Sequence, residues 1–204
     1  MKKKIVLMAT SLVLVAALAV GGTLAYLTAN TASIDNTFTV GNITAELTET
    51  FNTDGNNDGE PDKWVGKIVP GGEDDKDPTI TINQGSEPCY VYVCITNTVK
   101  VGENVVATPN ISDTNWETIA TKNDMTLYRY GSNDVAQVVN AASADQPISV
   151  FTKVAYAGSI DKDQIKTLEN KKITVQGYAH QSGTDLQTTA DNAAKAFFGF
   201  TTTT

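Results

Sequence analysis

The densest set of oxygen-bearing side chains in this chain is Asp54-Gly55-Asn56-Asn57-Asp58-Gly59-Glu60-Pro61-Asp62. Asp54, Asn56 and Asp58 stand at positions 1, 3 and 5 of a calcium loop, Gly59 takes the sharp turn at 6, Glu60 offers its carbonyl at 7 and Asp62 falls at 9. A hard cation needs such a set of oxygens on a tight backbone, so calcium is the cofactor these residues suggest. Position 12, where an EF-hand places a bidentate Glu, is Val65, and the spacing is nearer the Asp-rich calcium repeats of extracellular proteins. The same residues equally suit an acidic hairpin tip whose Asp and Asn side chains serve turn geometry.

Catalytic chemistry has little to work with. The single histidine, His180, lies in an alternating stretch with Tyr178 and Ala179, and no His-Glu-x-x-His pair is present for zinc hydrolysis. Gly85-Ser86, Gly131-Ser132 and Gly158-Ser159 are turn pairs rather than a nucleophile elbow. The two cysteines, Cys89 and Cys94, fall in one predicted strand, on opposite faces and about 16 Å apart along an extended chain, too far to bridge. The residues therefore assign no catalytic role, and two buried free thiols are expected, with an intermolecular disulfide as the other possibility.

The elements that must position these residues are strands. Thr, Val, Ile and Tyr recur in short runs separated by Gly, Asn and Asp clusters, which reads as an all-β chain with many turns and a single sandwich. Cys89 to Val99 is the expected central strand, with Cys89, Val91, Val93 and Ile95 facing one way and Tyr90, Tyr92 and Cys94 the other. The Gly85-Ser86-Glu87-Pro88 turn predicts a hairpin between it and Pro78 to Asn83, and Glu73 to Asp77 reads as an acidic loop. Further strands are expected at Met125 to Tyr130, Val135 to Val139, Ile148 to Val154 and Lys172 to Gln181. Short peripheral helices are expected near Trp116, over Lys162 to Leu168, and from a capping box at Thr188-Thr189-Ala190-Asp191, with Ala194, Phe197 and Phe198 as the apolar side of the last.

The chain opens with Lys2, Lys3 and Lys4, then an apolar run from Ile5 to Val20, the layout of a secretory signal helix. Thr23 and Ala25 supply the small residues at −3 and −1, so a signal peptidase is expected to cut between Ala25 and Tyr26, with a cut after Ala32 (Asn30 at −3) as the poorer second choice. An uncleaved anchor is the competing reading, because no charge appears between Lys4 and Asp35. Losing residues 1–25 removes three lysines and no acid, which takes the formal charge from −8 to about −11. So acidic a surface excludes a general nucleic-acid footprint and suits divalent cations or a basic partner. The mature part, 26–204, is one domain ending in the polar tail Thr201 to Thr204.

The seam carries a specific pattern: Gly21-Gly22-Thr23-Leu24-Ala25-Tyr26, then Asn36-Thr37-Phe38-Thr39-Val40-Gly41-Asn42-Ile43, then the acidic run Glu46-Leu47-Thr48-Glu49. It resembles the SipW-dependent signal peptides of the TasA/camelysin (CalY) family, secreted biofilm-matrix proteins of Gram-positive bacteria. Ile68-Val69-Pro70-Gly71-Gly72, Val91 to Asn97, Pro147 to Val154 and Ile173 to Gln181 resemble later family segments in the same order. The family often has Asp at the position of Gly72, with the acids here displaced to Glu73, Asp74 and Asp75.

The resemblance implies a jelly-roll-like antiparallel β-sandwich, secreted to the matrix or cell surface, that self-associates into fibres and meets other matrix proteins. Cleavage after Ala25 would free Tyr26 to Ile34, an uncharged and β-permissive donor strand for the open edge of the next subunit. Two alternatives belong to other classes. One is a camelysin-like surface metallopeptidase, implied by resemblance alone. The other is a monomeric surface adhesin rigidified by calcium at Asp54, Asn56, Asp58 and Asp62.

Overall fold

A computed structural model describes residues 42–49, 68–182 and 187–200, all within the unit Gly41–Thr204. In chain order the strands are β1 (Ala45–Thr48), β2 (Glu73–Asp75), β3 (Thr79–Ile82), β4 (Cys89–Asn97), β5 (Lys100–Val101), β6 (Asn104–Val105), β7 (Ala107–Pro109), β8 (Trp116–Lys122), β9 (Met125–Ser132), β10 (Val135–Ala136), β11 (Gln146–Ser149), β12 (Lys153–Tyr156) and β13 (Ile173–Gln181). Among the described residues two helices accompany them, α1 (Lys162–Lys166) and α2 (Gln187–Phe197). The chain is all-β in class, built of several antiparallel sheets. Among the described residues no helix is long and apolar enough to cross a membrane.

β4 is central because its sequence can be buried on both faces. It pairs with β9 on one side and β13 on the other, and β8 continues the sheet beyond β9. After the Asn133-Asp134 turn, β10 folds back on β9 and the chain runs on between β9 and the start of β4. There Gln137 N–H donates to Tyr130 O, and Val139 exchanges two hydrogen bonds with Cys89.

β2 and β3 form one interrupted strand, matched by β12 and β11. The two ladders join through Lys76 N–H to Thr152 O and Val150 N–H to Pro78 O. β1 extends this second sheet beyond β3, and β7 extends it beyond β12. Ile80, Ile82, Ile148, Val150 and Val154 from this ladder share one core with Val91, Val93 and Ile95 of β4. Burying a side chain of that size contributes about 1.5–3 kcal/mol, so this shared core is the main source of stability. Trp116, 2% exposed, ties the two together by donating from Nε1 to Ser149 O at 2.9 Å.

On the other face of β4, Tyr92 and Cys94 join Leu127 of β9 under α2, whose Ala190 and Ala194 are fully buried there. Small residues on that helical face let it lie close to the sheet.

Four local expectations need correction. β3 and β4 do not form a hairpin. The Gly85 to Pro88 loop is bound instead by Asn42, Thr44 and Ala141: Gly85 N–H donates to Ala141 O, Glu87 N–H to Asn42 O, and Ser86 Oγ accepts from Thr44 N–H. Those bonds carry the chain from one sheet to the other. The segment from Trp116 is a strand, not a helical turn, because pairing with β9 satisfies its backbone and the local turn ends at Asn115 N–H to Ser112 O. Glu73 to Asp75 is β2 rather than loop; its charges are met by Lys153, paired with Glu73, and by Tyr156, whose hydroxyl donates to Asp74 at 2.5 Å. Finally, α2 begins at Gln187, so the Thr188 box lies inside its first turn. Gln187 itself anchors the helix, accepting from Ala136 N–H at 2.7 Å and donating to Asp134 O at 2.8 Å.

Candidate functional site

Asp54, Asn56, Asp58, Glu60 and Asp62 of the expected calcium loop lie outside the described residues, as do the Ala25–Tyr26 junction, the 26–34 segment and the 201–204 tail. His180 sits in β13 with Nδ1 3.0 Å from Gln181 O and its ring 6.3 Å from that of Tyr178. Among the described residues no three His, Cys, Asp or Glu side chains gather as metal ligands would. Cys89 and Cys94 are both buried and unbridged, one in each apolar cluster. Burial pushes the Cys89 thiol up to about 11 and raises that of Cys94 as well, so neither is a nucleophile at neutral pH.

The strongest electrostatic feature is one the sequence reading missed. Arg129, 3% exposed, donates from Nη1 to Asp191 Oδ2 at 2.6 Å and from Nη2 to Glu117 Oε2 at 2.5 Å. Tyr92 Oη donates to the other Asp191 oxygen at 2.9 Å, and Glu117 Oε1 accepts from Asp134 N–H at 3.1 Å. Burial, followed by the charge and hydrogen bond of Asp191, raises the Tyr92 phenol far above its ordinary range, so it remains a donor. Burial works against the Glu117 carboxylate, but Arg129 and the Asp134 amide outweigh it and hold its pKa below the ordinary value. Both carboxylates are spent on structure: Asp191 ties α2 to β9, and Glu117 ties β8 to β9 and to the turn at Asp134. The signal was available: Arg129 shares its strand face with Leu127 and lies opposite Tyr92, so a covering element carrying an acid was required.

The feature suited to interaction is a backbone edge. Thr98 N–H donates to Lys172 O and Ser182 N–H donates to Pro88 O, which fixes the parity of the β4–β13 ladder. Even-numbered residues of β13 turn their backbone groups toward β4, and Ile173, Val175, Gly177, Ala179 and Gln181 turn theirs outward. Among the described residues no strand pairs with that outward side. Nine residues at about 3.3 Å each give an edge about 30 Å long, and Ile173–Gln181 contains no Asp, Glu, Lys, Arg or Pro.

The edges of β7, β8 and β1 are guarded in ways that deter pairing. β7 is three residues long and includes Pro109. β8 carries Glu117 and Lys122 and breaks register between Thr118 and Ala120. β1 is four residues long and contains Glu46. β13 is also tightly seated: a Cβ on Gly177 would come within 2.9 Å of Ile80 Cδ1, so glycine lets the strand close onto β3. A shelf of rings flanks the edge on the α2 side. Phe197 stacks on Tyr178 with centroids 4.8 Å apart, and Phe198 meets both rings edge-on. Phe197 is nonetheless 63% exposed.

No family model, curated protein or solved structure matches the chain.

Proposed function

We propose that this chain is a secreted structural protein that polymerises by strand addition, with the outer edge of β13 as acceptor. The observation that carries this reading is that, among the described residues, the longest edge strand is free of Asp, Glu, Lys, Arg, proline and bulge. The donor is Tyr26 to Ile34 of another copy, freed by cleavage after Ala25. That segment is uncharged and nine residues long, the length of β13. Donation from one copy to the next does not close on itself, so fibres grow.

The arrangement of sheets supports a jelly-roll-like sandwich. One layer runs β8-β9-β4-β13 and the other β1-β3/β2-β11/β12-β7, and the chain changes layer between β3 and β4, between β4 and β7, between β7 and β8, between β10 and β11, and again between β12 and β13. The family resemblance of the signal junction supports export to a Gram-positive cell surface or matrix. Electron microscopy of protein beginning at Tyr26, beside protein beginning at Asp35, tests the reading: fibres from the first alone support it, and monomers from both overturn it.

A further inference from the structure

We infer that Phe197 is the recognition residue of this edge, the surface on which a second copy's incoming strand seats one apolar side chain. The inference rests on the strand-addition reading and adds to it a role for α2. Because even-numbered residues of β13 bond to β4, an antiparallel strand added outside would meet Tyr178 in a non-hydrogen-bonded pair. In such pairs the Cα atoms are about 4.5 Å apart and side chains are closest.

The residue opposite Tyr178 then lies on the α2 side of the sheet, against the exposed face of Phe197, while Phe198 and Tyr178 hold that ring in place. Phe197 is left 63% exposed at the end of a helix whose fully buried residues are Ala190 and Ala194. The occupant is Tyr26–Ile34 of the next copy, whose two alternating faces carry Leu27 and Ala29 on one side and Tyr26 and Ile34 on the other. Either face supplies an apolar side chain and no charged one, as a ring shelf requires, and an exposed aromatic anchor of this kind typically dominates such a contact.

The test expresses the full chain in a secreting host as wild type, Phe197→Ala, Phe197→Tyr and Ala179→Pro. Assembly is read by sedimentation and negative-stain microscopy, and folding by melting temperature. Ala179 turns its N–H outward, so proline there blocks the edge without removing a bond to β4. The expected result is a rise of roughly tenfold in the concentration needed for assembly with Phe197→Ala, near-wild-type assembly with Phe197→Tyr, loss with Ala179→Pro, and unchanged melting for both Phe197 variants. Assembly lost with Ala179→Pro but unaffected by Phe197→Ala would overturn the role of Phe197 and leave strand addition standing. Assembly unaffected by either, or a wild type that stays monomeric, would overturn both.

Discussion

Arg129 on β9 and Asp191 on α2, 62 residues apart in the chain, meet through Nη1 and Oδ2 at 2.6 Å beneath the helix. With Tyr92 on the second Asp191 oxygen, the pair decides where α2 lies and so where Phe197 stands beside β13. Removing Asp191 leaves the buried Arg129 with Glu117 as its remaining partner and the Tyr92 hydroxyl without its acceptor. Asp191→Ala should therefore cost about 2–4 kcal/mol in urea unfolding and speed exchange of the α2 amides. Unchanged α2 exchange would show that Ala190, Ala194 and the Gln187 anchor hold the helix without Asp191.

Acid should loosen the same cluster. The Glu117 pKa is held below its unfolded value, so its contribution to stability is present above about pH 4.3 and is lost as pH falls through the lower folded value. The midpoint of chemical unfolding should fall with acidification in that window, and Glu117→Gln should flatten the slope. A variant as acid-sensitive as wild type would assign the effect to other carboxylates.

Gly131 should tolerate no side chain. Its φ is +141°, and a Cβ there would lie 2.1 Å from Val135 O and 2.9 Å from Gln137 N, inside the β9–β10 hairpin. Relief requires opening that hairpin, so Gly131→Ala should destabilise by about 2–4 kcal/mol. A melting temperature within a degree of wild type would contradict the geometry.

The thiols should be silent in the folded state. Cys89 and Cys94 are buried on opposite faces of β4, with raised pKa values. Ellman's reagent should detect neither in native protein at pH 8 and both in guanidinium. Fast native reaction at Cys94 would mean that α2 lifts from the sheet on the timescale of the assay.

What the sequence reveals is what local periodicity encodes. The alternation of Cys89 to Ile95, of Met125 to Tyr130 and of Ile173 to Gln181 gives β4, β9 and β13, with the two faces of β4 assigned, and the opposed thiols follow directly. Partner choice is not encoded locally. The turn at Gly85 to Pro88 looks like a hairpin, but its hydrogen bonds go to residues far along the chain, and Trp116 becomes a strand through contacts with β9 and Ser149. Arg129 lay in plain view, yet its meaning needed Asp191 across the fold. The open edge of β13 is likewise a property of which strands pair, which single-chain alternation does not specify.

Residue-resolved hydrogen exchange on β13, in monomer and in fibre, tests strand addition at this edge most directly. The amides of Ile173, Val175, Gly177, Ala179 and Gln181 should exchange readily in the monomer and become protected on assembly, while those of Thr174, Gln176 and Tyr178 are protected in both. Outward amides whose protection is the same in monomer and fibre would contradict β13 as the acceptor.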